Sequence, residues 1–512
     1  MTGESSTSDQ RTMDSQQDNK SNRLKILIVA AEAAPFAKVG HVAEVVGSLP
    51  LALSSLGHDV RLVMPRYGRI EPAKFDLKPV AALQNLEIQV NRGTEKVYIS
   101  EGKISYNGDS VPVYFVNNER YFNRDGIYSY PDDDERFILF CRAALEMLPE
   151  LEWQPDIIHC HDWHTAIIPN WLKTVYADDP FYKNIASVFT IHNLAFQGIF
   201  GYRVLEVAGI GEYGFVYPEA DDPSSMVNLM SLGIRFADAV STVSPTYAQE
   251  ILRPEFGEHM DRLLNERKEH LFGILNGIDV NHFNPAADRF LAANFDESSL
   301  EQRVQNKLDL QREAGLPLNP DVPVIGMISR LANQKGFDLI AQIIDLLMQL
   351  DLQFVLMGTG DHLYHDLFRQ MHERYPEKAA YFMTFNTPIA QKIYGGSDIF
   401  LMPSRSEPCG LGQMIAMRYG SIPVVRQTGG LADTVKDFNP RTNTGNGFTF
   451  TDYDSMLLYG AIVRALETYK YPEVWRKLMW RDMTADYSWR ASAAQYVRLY
   501  HDALKFHQEG QV

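Results

Sequence analysis

Short apolar runs with no alternation of polar residues constrain this chain more than any other feature. In the first half they are KILIVA (25–30), DVRLVMP (59–65), VPVYFVN (111–117), PDIIHCHD (155–162), SVFTIHN (187–193) and DAVSTVSP (238–245). In the second half they are VPVIGMIS (322–329), QFVLMG (353–358), AYFMTF (380–385), DIFLMPS (398–404) and SIPVVRQT (421–428). A strand with one wet face alternates polar and apolar residues. An unbroken run instead suits a strand covered on both faces, as in a parallel sheet. Helical stretches fall between the runs, for example 42–57 and 135–150. In the second half the runs start roughly 20–30 residues apart, about one βα unit. The pattern predicts two doubly wound α/β lobes that join near LNGIDVNHFNP (275–285).

Composition narrows the function. Lys and Arg number 48 against 65 Asp and Glu, a formal charge of −17 over 512 residues. That balance disfavours nucleic acid as a partner, because such binding needs a basic face to displace counterions. Cys141, Cys160 and Cys409 are the only cysteines and form no CxxC pair, so reduced cytoplasmic thiols are expected. No apolar run approaches the ~18 residues of a membrane span, so no membrane is expected. Residues 1–23 are polar and acid-containing, unlike a signal or transit peptide, and are expected to form a disordered tail.

Many of the predicted strands end in a polar or charged group: Glu32, Asn117, Asp162, His192, Asn276, Arg330 and Glu407. Open parallel sheets bind ligands outside the carboxyl ends of their strands. In ISRLANQKG, Arg330 and Lys335 flank a strand-to-helix turn, where a guanidinium fork and an ammonium suit a diphosphate; a solvated turn explains them equally well. SEPCGLGQ places Glu407 before Gly410 and Gly412 at a helix start. That is an anion site with an acid in it, or simply an acid stabilising the helix dipole. HCHDWH invites a metal reading, but alternate strand residues point to opposite faces and no further ligand is evident, so no metal is expected. His192 in TIHNLAFQG is a strand-end group or a core histidine. MGTGD (357–361) and RQTGGLADTV (426–435) are glycine turns of low specificity.

Taken in order, these segments resemble the bacterial glycogen synthase and plant-type starch synthase family. They are joined by the lysine loop at Lys38 and Gly40, YFNRDGIYSYPDDDERFILFCRAALE, FADAVSTVSPTYAQEI and ILNGIDVNHFNP. The resemblance covers roughly residues 25–500. It implies a GT-B glycosyltransferase with two Rossmann-like lobes facing across a cleft. The implied parts are an acceptor-side domain at 24–277, a nucleotide-sugar domain at 278–485, and a C-terminal helix at 486–512 returning to the first lobe. The implied reaction moves glucose, with retention, from ADP-glucose (favoured) or UDP-glucose to the non-reducing end of glycogen or a maltooligosaccharide. No cofactor or metal is implied. The catalytic set is Arg330, Lys335, Glu407, His192 and Asp162. The substrate-binding set is Lys38, Gly40, His41, Glu44, Asn276, Gly358, Cys409, Gly410, Leu411, Gly412, Thr428, Gly429 and Gly430.

Four places depart from the family pattern. The loop reads KVGHVAEVV, with His41 where the family has a second glycine, Val42 for its leucine and Glu44 for its aspartate. Gly412 replaces a usual threonine, Ser231 replaces a lysine, and EHMDRL replaces a glycine-rich stretch. An imidazole at 41 either occupies substrate space, contacts a phosphate or turns to solvent. Retention of the charged residues favours a working synthase with altered fit over a binder with little turnover or an enzyme for a small acceptor; a cofactor-dependent phosphorylase is weaker still.

Overall fold

The computed structural model describes residues 23–90, 93–106, 108–213 and 226–510; the tail expected at 1–23 lies, but for Arg23, outside the described residues. The chain divides into two compact units. The first runs to Thr242 and takes in Ile251–Ile274 and the chain from Ser492. The second comprises Val243–Glu250 and Leu275–Ala491.

The first unit is built on a ten-stranded sheet. Its strands are β1 (Lys25–Val29), β2 (Asp59–Pro65), β3 (Lys78–Pro79), β4 (Leu86–Val90), β5 (Gly93–Tyr106), β6 (Asp109–Asn117), β7 (Ile157–His161), β8 (Ala186–Ile191), β11 (Ala239–Thr242) and β12 (Leu271–Gly273). Two short strands, β9 (Ile199–Gly201) and β10 (Met226–Asn228), pair separately. The order is β12-β11-β8-β7-β1-β2-β6-β5-β3, with β4 on β5. Pairing is parallel from β12 to β6 and antiparallel beyond. Ile26–Val29 are fully buried, as an unbroken apolar run requires. Helix His41–Ser55 covers the sheet through Ala43, Val45, Val46, Leu49 and Leu53. Its internal Pro50 is buried at the helix–sheet contact, where the lost amide is offset by packing.

The second unit has a six-stranded parallel sheet of β13 (Val324–Ile328), β14 (Gln353–Met357), β15 (Ala379–Phe382), β16 (Ile399–Met402), β17 (Ile422–Arg426) and β18 (Phe448–Phe450). Their order is β15-β14-β13-β16-β17-β18. Helix Phe337–Leu347 buries Phe337, Leu339, Ile340, Ile343, Ile344 and Leu347 against it. Chain order reverses between β13 and β16 here, and between β1 and β7 in the first unit. Such switch points open a crevice at the carboxyl ends of the strands.

The units are not the continuous 24–277 and 278–485 blocks expected from the sequence. Val243–Glu250 belongs with the second because Thr246 and Glu250 bond to Asp433 and Gly429. The final helix, Trp489–Glu509, belongs from Ser492 onward to the first, as the resemblance implies. The Tyr500 hydroxyl meets His159 Nδ1 at 2.9 Å, and His507 Nδ1 meets the Asp238 carboxylate at 3.2 Å.

Candidate active site

In the first unit, the ends of β1, β7 and β8 gather Glu32, Asp162 and His192. Glu32 follows β1 and is 2% exposed. Its Oε2 accepts the amides of Val39 (2.6 Å) and Gly40 (3.1 Å), so one buried carboxylate shapes the lysine loop. Lys38 Nζ lies 2.5 Å from Glu44 Oε1, and His41 Nδ1 lies 3.6 Å from Glu44 Oε2. Burial would raise the Glu44 carboxyl, but His41 and Lys38 override it and hold it at about 2. The His41 side chain opens helix His41–Ser55 and is 68% exposed.

Asp162 follows β7 at φ 56° and ψ 179°, a conformation essentially reserved for glycine that costs ~1–3 kcal/mol. Its Oδ1 accepts the His192 amide at 2.8 Å, fixing the end of β8. Burial raises the Asp162 carboxyl to about 7, aided by the nearby Glu32 charge. His161 Nδ1 contacts His192 Nε2 at 2.9 Å. Burial lowers His192 to about 3, with the His41 charge adding to it, so its ring is neutral at pH 7. His161 Nε2 and His192 Nδ1 are buried without partners among the described residues. His159, the remaining strand histidine, is spent on Tyr500 and on Thr190 Oγ1 (2.6 Å). No group of three or more His, Cys, Asp or Glu side chains is placed to hold a metal among the described residues.

In the second unit, β13 and β16 deliver the cations and the acid side by side. Gly336 lies at φ 79° after Lys335, and a Cβ there would sit 2.1 Å from the Pro403 carbonyl oxygen. Only glycine lets the two turns close this far. Gln334 reinforces the closure: its carbonyl accepts the Arg405 amide (2.8 Å) and its side chain donates to Ser406 O (3.0 Å). Lys335 Nζ therefore reaches Glu407 Oε2 at 2.6 Å, and the buried Ser404 hydroxyl donates to the same oxygen at 3.0 Å. The Arg330 side chain is exposed and makes no hydrogen bond or ion pair among the described residues, while its carbonyl accepts the Ser329 hydroxyl at 3.1 Å.

Of the remaining expected residues of this unit, Gly410, Gly429 and Gly430 pack against Glu407. Gly410 (φ 71°) and Leu411 lead into helix Gly412–Arg418, and Gln413 Nε2 ties the turn through the carbonyls of Cys409 (3.1 Å) and Gly410 (3.0 Å). A side chain at Gly412 would meet the Phe400 ring at 3.2 Å. Burial pushes the Cys409 thiol up to about 12, leaving it a packing group. Asn276 is 4% exposed, and its Oδ1 is another buried orphan. Thr428 and Gly429 already bond Glu250, and Gly430 N donates to Glu407 O at 3.2 Å. Gly358 instead follows β14, where a Cβ would meet Ser329 O. Sequence reasoning assigned no task to Glu32, Ser404, Gln334 or Glu250. It also passed over Tyr128, a neighbour of Glu32 and Asp162. Glu32 carried a signal, a carboxylate at a strand end; Gln334 and Glu250 act through partners distant in the chain, and Ser404 through Glu407 three residues on.

Comparison with known proteins agrees with this geometry. Residues 25–266 match the starch synthase catalytic domain family, and residues 311–478 match glycosyl transferases group 1. The chain is 51% identical to the glycogen synthase of Moorella thermoacetica over 94% of its length and 97% of that protein. It is 46% identical to that of Thermotoga maritima over 94% and 99%. The structure of the catalytic domain of starch synthase IV from Arabidopsis thaliana, bound to ADP and acarbose, superposes with a TM-score of 0.85 at 36% identity, covering 94% of this chain and 100% of that one. Sucrose-phosphate synthase from Thermosynechococcus elongatus, at 17% identity and TM-score 0.56 over 94% of this chain and 98% of that one, shares the fold. With two Rossmann-like units, a lysine–glutamate pair at the switch point of the second, and near full-length identity to glycogen synthases, the chain belongs to the glycogen synthase and starch synthase family of GT-B glycosyltransferases.

Proposed function

We propose that the protein transfers glucose from ADP-glucose to the non-reducing 4-hydroxyl of an α-1,4-glucan, with retention, in the cytoplasm and without a cofactor. The observation that carries this reading is the Lys335–Glu407 pair at 2.6 Å, with the Arg330 side chain exposed just past the end of β13. When a nucleotide sugar binds, Lys335 and Arg330 take the diphosphate, whose negative charge grows as the glucosyl bond breaks. The glucan hydroxyl attacks the anomeric carbon from the side the diphosphate leaves. The C–O bond to phosphate breaks, the new C–O bond forms, and the hydroxyl proton passes to the departing phosphate oxygen. Preorganised charge of this kind supplies most of the rate. Glu407 sits by the glucosyl unit and restrains Lys335 until phosphate replaces it. Asp162 and His192 offer sugar hydroxyls hydrogen bonds without adding a cation.

The test is incubation of the purified protein with ADP-glucose or UDP-glucose and either glycogen, maltooligosaccharides or a monosaccharide, reading released nucleoside diphosphate and chain growth. Glucan elongation faster with ADP-glucose is the expected result. Elongation faster with UDP-glucose reverses the donor assignment. Binding without product, or product on the monosaccharide alone, overturns the synthase reading.

A further inference from the structure

The short helix Pro245–Glu250 belongs to the second unit, although the chain on both sides of its segment, Val243–Glu250, lies in the first. It is fastened at both ends to helix Gly429–Thr434. Thr246 donates its amide to Asp433 Oδ2 (3.0 Å) and its hydroxyl to Asp433 Oδ1 (2.7 Å). One turn on, the buried Glu250 carboxylate accepts the Gly429 amide (3.1 Å) and the Thr428 hydroxyl (3.3 Å). Gly429 is at φ 45°, and a Cβ on it would lie 2.0 Å from the carbonyl oxygen of Glu407. The Gly430 amide donates to that same carbonyl at 3.2 Å. Residue 429 is thus held between two glutamates: the side chain of Glu250 on its amide and the main chain of Glu407 against its Cα.

We propose that Glu250 is a positioning residue for glucosyl transfer: it fixes the turn on which the Glu407 main chain rests, and thereby sets where the Glu407 carboxylate meets Lys335. A carboxylate acceptor makes a hydrogen bond to an amide roughly twice as strong as a neutral one does. The Thr246–Asp433 grip sets the register that delivers Glu250 to Gly429. Without Glu250, the Gly429 amide loses its partner and the turn is free to pull away from Glu407. A shift of ~1 Å at a reacting group can cost ~10²-fold in rate. The inference rests on the synthase reading above.

The experiment compares kcat and KM for ADP-glucose and glycogen in the full-length parent, Glu250→Ala, Glu250→Gln and Thr246→Val, with folding followed by circular dichroism. Glu250→Ala is expected to lower kcat by ~10–100-fold with both KM values within about twofold. Glu250→Gln, which keeps an acceptor for the Gly429 amide, should recover most of that loss. Thr246→Val should lower kcat a few-fold. A purely structural role would lower the thermal midpoint and leave kcat per folded molecule unchanged, and that result overturns the proposal. If Glu250→Ala does not fold, Thr246→Val and Glu250→Gln decide: parental kcat in Thr246→Val, or a rise in KM alone in either, overturns it. A parent with no transfer defeats the synthase reading and this one together, whereas an active parent with unaffected variants defeats this one alone.

Discussion

The candidate sites of the two units use different electrostatics. At the ends of β7 and β8, burial disfavours charge: His192 is held near 3 and Asp162 is raised to about 7. At the ends of β13 and β16, charge is kept and balanced, with Lys335 on Glu407 and Arg330 open to solvent. A neutral sugar is best met by neutral donors and acceptors fixed in place. A diphosphate leaving group is best met by cations. The fold supplies each from the same structural position, a switch point in a parallel sheet.

The largest expected effect lies on the charged side. Lys335→Ala removes a cation that acts as the leaving group develops charge, and should lower kcat by ~10²–10³-fold with the protein still folded. Parental turnover in steady-state assays of that variant would erase the contrast. Next comes the pH dependence of stability on the neutral side. Burial holds His159, His164 and His192 at about 3, below the ordinary 6.5. As pH falls below 6.5 the unfolded chain takes up protons these rings refuse, so stability present above 6.5 is lost toward pH 3. Each imidazole costs roughly 1.4 kcal/mol per pH unit once the unfolded form is protonated. Urea unfolding at pH 7 and pH 5 measures this, and equal stabilities at both would contradict neutral burial. Asp162 has the opposite sign: its value is raised from 3.8 to about 7, so it loses stability as pH rises through that window. Asp162→Asn should flatten that part of the profile.

Smaller effects follow. Tyr500→Phe leaves His159 Nδ1 without its partner and should cost ~1–3 kcal/mol, read from denaturant midpoints. His41→Gly should be the mildest change, costing ~0.5–1 kcal/mol in stability through the lost Glu44 contact and a glycine at the helix start. Nucleotide-glucose KM at pH 6 and pH 8 completes that test. A large, pH-dependent change favours the phosphate-contact alternative, and identical values at both pH points remove His41 from the mechanism.

The parallel strands were legible because burial on both faces demands unbroken apolar runs; DVRLVMP coincides with β2. Strands β4 and β5 were not, since their residues alternate between exposed and buried and include Glu87, Lys96 and Glu101. Arg330, Lys335 and Glu407 stood out locally as charges beyond apolar runs. Their pairing did not, because it depends on β13 and β16 being neighbours, which strand order decides. Thr246 and Asp433 are 187 residues apart, and neither carries a local motif for its partner.

The first unit's dependence on the last helix bears on synthesis. His159 acquires Tyr500 only after 341 further residues have been translated, and Asp238 waits 269 for His507. At ~5–20 residues per second the His159 strand stands incomplete on the ribosome for roughly 17–70 s. Throughout that interval the surface that the final helix will cover lacks its partner. A ribosome stalled before Tyr496 would leave a first unit that cannot close its core, however complete its sheet.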